Sequence, residues 1–391
     1  MSEQSRPVDP VGGIPVPPPP PPDLPPVVAP PYYLPPPPPP PTAYPTPPPA
    51  YPVGPVSYPQ APPPQAFPPQ LAAPADVNVP YGYYYAGPPP KPSPLPDQPR
   101  EYHEFYRAPA FRAWKPWVAI VAAAVGAFVI MLLLSISAVS LGLIDVSAFL
   151  AGREVDGFAL FAVNNVSLAL CIPVIIGVHV LIFRQRPGWL FSITGAFRWK
   201  LFGKFLLLVL PFELAALGYD IWRGALEGLS WRPDGLLVIA VILLTTPFQA
   251  AAEEIAVRGL LLRCVGSMFK WRLPGLIVGG LISAIVFMLL HGAGDLWLNI
   301  FYFIFAAVAV VLVWRTGGLE AAIAMHIVHN LLSELFLPWM DMTGIFDREA
   351  GVGSAEVLVY VVLNLVTAAL IVWQAKRWKL PVARVVTQTD R

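Results

Sequence analysis

The chain has 391 residues, 55% hydrophobic and only 13% charged, with a mean hydropathy of +0.58 and a formal net charge of +1. Such a composition excludes an ordinary soluble globular protein, and the near-neutral balance gives no basis for nucleic-acid binding. The two cysteines, Cys171 and Cys264, lie in apolar runs; they read as buried small apolar residues and do not support a disulfide framework or a cysteine metal site.

Most of the 51 prolines fall before residue 100, in runs such as PVPPPPPP and YLPPPPPPPTAYPTPPPAYP. Proline lacks an amide donor and holds φ near one value, so such runs favour extended polyproline II and cannot build a packed core. Residues 1–110 are therefore expected to form a disordered, Pro- and Tyr-rich cytoplasmic tail, whose tyrosines (YGYYYAG) could stack on a protein partner. The start, MSEQSRPVDP, has no apolar h-region, so the tail is expected to stay on the side where it is made. His103 falls in this tail and receives no role.

From Trp114 the character changes. A span needs about 20 apolar residues. Eight candidates follow in order, at 117–143, 158–183, 201–222, 236–262, 275–292, 296–315, 318–339 and 355–375. The fold class is thus all-α, a polytopic transmembrane bundle over residues 111–380, with a short cytoplasmic tail at 381–391. Lys and Arg gather in alternate loops: Arg107, Arg112 and Lys115; Arg184, Arg186, Arg198, Lys200 and Lys204; Arg263, Lys270 and Arg272; Arg315; Lys376, Arg377 and Lys379. The intervening loops hold only Arg153, Arg223, Arg232 and Arg348, mixed with acids. The positive-inside rule then places both termini in the cytoplasm, as an even number of spans also requires.

Ionisable groups within the spans carry the functional information, because each is costly in hydrocarbon. The fourth span holds Glu253, Glu254 and Arg258 in AAEEIAVRGLLLR. The fifth ends in FMLLHG, with Phe287 and His291. The seventh carries His326, His329 and Asn330 in AIAMHIVHN. Glu254 and Arg258 are four apart and share a helix face, so they can pair. Glu253, rotated by about 100°, is then left free on the side of Gln249. His326 and Asn330, also four apart, can present two donors to one spot, and Phe287 can pack beside the His291 imidazole. Taken singly, Glu254–Arg258 reads as a structural ion pair, and His329 and His179 as satisfied interior histidines. Together, a free carboxylate, a histidine and a histidine–asparagine donor pair are the parts for hydrolysing an acyl bond: a base for water and preorganised donors for an oxyanion. Helix rise puts Glu253, His326 and Asn330 roughly 15, 12 and 18 Å from the cytoplasmic ends of their spans, but His291 about 25 Å, a mismatch in depth.

These residues resemble the CAAX protease and bacteriocin-processing (CPBP, or Abi) family of intramembrane endopeptidases, whose motifs are EExxxR, FxxxH and HxxxN or HxxxD. Here they read Glu253-Glu254-Ile-Ala-Val-Arg258, Phe287-Met-Leu-Leu-His291 and His326-Ile-Val-His-Asn330, in the same order and within spans. The resemblance covers roughly residues 236 to 335 and implies a protease core at about 236–340. It implies that Glu253 and His291 activate the hydrolytic water, that His326 and Asn330 form the oxyanion hole, and that Glu254, Arg258 and Phe287 support them. The cofactor is left open between none and a zinc ion, which Glu253, His291 and His326 could hold, with His329 as an extra ligand. Val257 departs from the family, which often has an aromatic before the arginine. The implied substrates are membrane-associated proteins or peptides. Composition and resemblance point to a bacterial inner membrane, where bacteriocin immunity or the processing of a membrane peptide suits the chain better than a prenylated substrate. Two other classes are open. Intramembrane Glu, His and Arg also mark ion-coupled transporters or proton relays, although no internal repeat is seen. A scaffold acting through the proline-rich tail would leave the motif residues dispensable.

Overall fold

The computed structural model describes residues 91–151, 157–343 and 345–386. The expected tail up to residue 90 and residues 387–391 lie outside them. Among the described residues, eight helices are long and apolar enough to cross a membrane: α1 (Trp114–Ser140), α2 (Phe158–Phe183), α3 (Trp199–Trp222), α4 (Gly235–Met268), α5 (Arg272–Leu290), α6 (Leu296–Thr316), α7 (Glu320–Ser333, ending in a 3-10 turn at Leu337–Trp339) and α8 (Val357–Arg377). Helices are the natural outcome of such runs, because a backbone in hydrocarbon must satisfy its own donors and acceptors. Large apolar side chains face outward on every flank, among them Phe128, Leu181, Leu207 and Leu244. In water such a surface would be an aggregation site; in a bilayer it is the solvent-matched face.

The order of packing places the motifs. α1 lies on α2, α2 on α4, α4 on α7 and α7 on α3, while α6 packs against α5 and α8. α4 is interrupted twice. Pro247 removes one backbone donor within its first half, and residues Ile255–Leu261 form a π turn before the α-helix resumes at Leu262. Such wide turns shift the register of the side chains beyond them and concentrate at functional sites. Between α6 and α7, Gly317 closes the turn with φ of 67°, a left-handed value that suits glycine, and a Cβ there would strike the Pro381 carbonyl. Thr316, Leu319 and Glu320 are fully buried beneath the 184–198 loop, which Arg198 ties down through three bonds to Glu320.

Two expectations are corrected, one about the N-terminal tail and one about the loop after the fourth span. The tail was expected to run structureless to residue 110. Instead a short strand, β1 (Arg100–Glu101), pairs antiparallel with β2 (Ala383–Arg384), and the turn after it enters the core. Tyr102, Phe105 and Tyr106 are buried, and the Tyr106 ring stacks on Phe183 at 3.7 Å. The Tyr106 hydroxyl meets His179 Nδ1 at 2.9 Å, and the Tyr102 hydroxyl donates to the Leu190 carbonyl. A Cβ on Gly266 would collide with the His103 carbonyl, so glycine is what lets this segment lie against α4. The aromatic cluster EYHEFY supplies the apolar area that the proline runs lack. His103 itself is buried, with Nε2 donating to the Arg272 carbonyl at 3.1 Å; burial pushes its imidazole below the ordinary range. Likewise Arg263, expected in a cytoplasmic loop, is fully buried because α4 runs on to Met268. Its guanidinium faces the Tyr106 ring at 4.2 Å and donates to the Trp189 carbonyl at 2.7 Å.

Candidate active site

Glu253, Phe287, His291, His326 and Asn330 line one cavity of about 600 Å³, a volume typical of ligand sites. The mismatch in depth disappears for two reasons. α4 continues past residue 262, so Glu253 lies roughly 22 Å from its end rather than 15 Å. The turn that precedes α7 is itself buried, so that helix begins well inside the protein.

Behind the cavity, Glu254 and Arg258 are both fully buried and pair at 3.0 Å. The Arg258 guanidinium also lies 4.3 Å from the centre of the Phe287 ring, a cation–π contact that joins the first motif to the second. The same Glu254 oxygen, Oε1, meets His326 Nδ1 at 2.9 Å. A carboxylate only accepts, so Nδ1 carries the proton and Nε2 is the working edge of the ring. That edge faces Glu253 Oε2 at 3.6 Å. Glu253 therefore divides its two oxygens. Oε1 accepts from Gln249 Nε2 at 2.6 Å, whereas Oε2 is buried without a hydrogen-bond partner.

His291 sits at the C-cap of α5. Its Nδ1 donates to the Phe287 carbonyl at 2.8 Å, which leaves Nε2 as an acceptor in the neutral ring. The imidazole is sandwiched, stacked on Tyr302 at 4.0 Å and with Phe287 at 4.6 Å. Arg348, in the loop before α8, reaches back to the Tyr302 hydroxyl at 3.1 Å and the His291 carbonyl at 3.3 Å. Asn330 lines the same cavity as His326 and is held there by Gln249. Its Nδ2 donates to Gln249 Oε1 at 3.0 Å. His329 is paired with Glu213 at 3.1 Å, and His179 with Tyr106, so both act as satisfied interior histidines.

Sequence reasoning set Gln249 beside Glu253 but missed its second partner, because that partner comes from another helix. Tyr302 and Arg348 were missed too: neither falls in a motif, and an aromatic in an apolar span carries no signal of its own. A zinc ion requires three or four converging donors. Glu253 Oε2 and His326 Nε2 lie 3.6 Å apart, a separation two zinc ligands could adopt, and the bond of His326 Nδ1 to Glu254 leaves Nε2 as the free edge of the ring. Among the described residues no three His, Cys, Asp or Glu side chains converge closely enough to hold a metal.

Residues 235–332 match the family described as type II CAAX prenyl endopeptidase Rce1-like. YyaK, an uncharacterized protein of Bacillus subtilis (strain 168), is 30% identical over 154 residues, which is 36% of this chain and 50% of that protein. The chain thus spans about half the length of the curated relative it matches. No solved structure matches it. All three motifs fall inside the matched segment, in keeping with the expected resemblance to the CPBP family.

Proposed function

We propose that this protein is an intramembrane endopeptidase that hydrolyses peptide bonds of membrane-associated proteins or peptides. The observation that carries the reading is the unequal use of two adjacent carboxylates. Each leaves one oxygen without a hydrogen-bond partner, but Glu254 is fully buried behind the cavity and paired with Arg258 and His326, whereas Glu253 lines the cavity and its free oxygen faces His326 Nε2 at 3.6 Å. A structural ion-pair cluster would have no need of that second carboxylate.

In the proposed mechanism Glu253 Oε2 takes a proton from water as the water oxygen attacks the scissile carbonyl carbon. His291 Nε2, the acceptor left by the bond to Phe287, orients that water. The developing oxyanion is met by His326 Nε2, in its protonated form, and by the second N–H of Asn330. Such donors are effective because they are held in place before the charge develops. Glu253 then delivers its proton to the leaving amine nitrogen as the C–N bond breaks. Arg258 and Phe287 keep the Glu254–His326 arm in register. The apolar flanks of the helices and the Rce1-like domain support a substrate that arrives from the membrane.

Comparative peptidomics of membranes carrying the wild type or Glu253→Gln tests the reading. The substitution keeps shape and removes the proton acceptor, a loss that typically costs 10²–10⁴-fold in rate. Peptides should accumulate uncleaved in the variant. If the two peptide profiles match, the hydrolase reading falls, and proton flux in liposomes becomes the measurement to make.

A further inference from the structure

Gln249 lies outside the three motifs, yet its amide hydrogen-bonds to both halves of the proposed machinery. It is 6% exposed and sits one helical turn before Glu253 on α4. Its Nε2 is 2.6 Å from Glu253 Oε1, and its Oε1 is 3.0 Å from Asn330 Nδ2 on α7. The chemistry permits only one orientation of these two amides. An ionised carboxylate accepts and cannot donate, so Gln249 must turn its NH₂ toward Glu253. Its carbonyl then faces Asn330, which must turn its own NH₂ toward Gln249. Reversing either amide would set two acceptors or two donors against each other.

We propose that Gln249 is a positioning residue that sets both the base and the oxyanion donor. By occupying Glu253 Oε1 it leaves Oε2 as the oxygen for water. By holding one N–H of Asn330 it aims the other into the cavity. A single amide thus couples proton abstraction on α4 to charge stabilisation on α7, and a shift of either helix would disturb both. This inference rests on the endopeptidase reading.

The test uses the purified full chain in detergent with a fluorogenic peptide built on the cleavage site found by the Glu253→Gln comparison. In Gln249→Met, kcat falls on the order of 10²-fold, the scale of an ångström-sized misplacement, while KM stays within about two-fold, since substrate binding is not what the amide serves. On an Asn330→Ala background the same substitution has a clearly smaller effect, because its partner is already gone. If Glu253→Gln is inactive but Gln249→Met turns over normally, the positioning role is overturned and the endopeptidase reading survives. Additive losses in the double variant, or a raised KM with unchanged kcat, also overturn it. If Glu253→Gln retains turnover, the endopeptidase reading fails and takes this inference with it. Should Gln249→Met not fold, Gln249→Glu keeps the volume but cannot donate when ionised; the same loss of kcat is expected, and wild-type turnover would refute the proposal.

Discussion

Replacing Glu254 by glutamine isolates the value of one buried charge. Glu254 Oε1 accepts from Arg258 at 3.0 Å and from His326 at 2.9 Å, and both carboxylate and guanidinium are fully buried. A glutamine carbonyl can still accept both bonds, so the contacts survive and the negative charge is what disappears. Arg258 is left with an uncompensated charge, and its Nε and Nη2 already lack hydrogen-bond partners. Removing one partner of a buried pair costs about 3–5 kcal/mol; retention of the two hydrogen bonds and of the Phe287 contact argues for the lower end, about 3 kcal/mol. For a chain of this size that corresponds to a melting temperature lower by on the order of 10 °C. Adding Arg258→Leu removes the stranded charge and should recover part of the loss. The assay is a thermal melt of each purified variant in detergent, read beside its cleavage rate. A Glu254→Gln protein that melts with the wild type, or a double variant less stable than the single one, would refute the reasoning.

Other outcomes follow from the chain ends and loops. Deleting residues 1–90 should leave cleavage in detergent intact, whereas Tyr106→Ala, which empties a buried site beside Phe183 and His179, should destabilise by about 3–5 kcal/mol, measured by thermal melt. His103 has a folded-state pKa depressed by burial, despite the nearby Glu101 and Glu104 carboxylates. Its contribution is therefore complete above the unfolded pKa of about 6.5 and is lost as pH falls below it; melts between pH 8 and pH 5 should show a slope that His103→Phe flattens. For topology, cysteines placed in 223–235 or 341–354 should react with an impermeant thiol reagent on intact cells, and labelling in 184–200 instead would invert the orientation.

The spans and the motifs are legible in the order of amino acids alone. Apolar runs of membrane-crossing length leave the backbone no alternative to helix, and the expected eight spans match the eight observed helices to within a few residues at most ends. Helical spacing also sufficed for contacts within one helix, Glu254 with Arg258 and Phe287 with His291, because four residues are one turn. Contacts between helices obey no such local rule. Gln249 with Asn330, His326 with Glu254 and Tyr302 with His291 depend on how different helices are rotated against each other. The extension of α4 to Met268 was hidden for a related reason. Arg263 reads as a loop cation by its charge, and only the tertiary structure supplies the rings of Tyr102, Phe105 and Tyr106 that receive it. The segment at 100–107 was misread in the same way: its composition averages with the proline runs before it, whereas burial is decided residue by residue, by the groove that the folded helices provide.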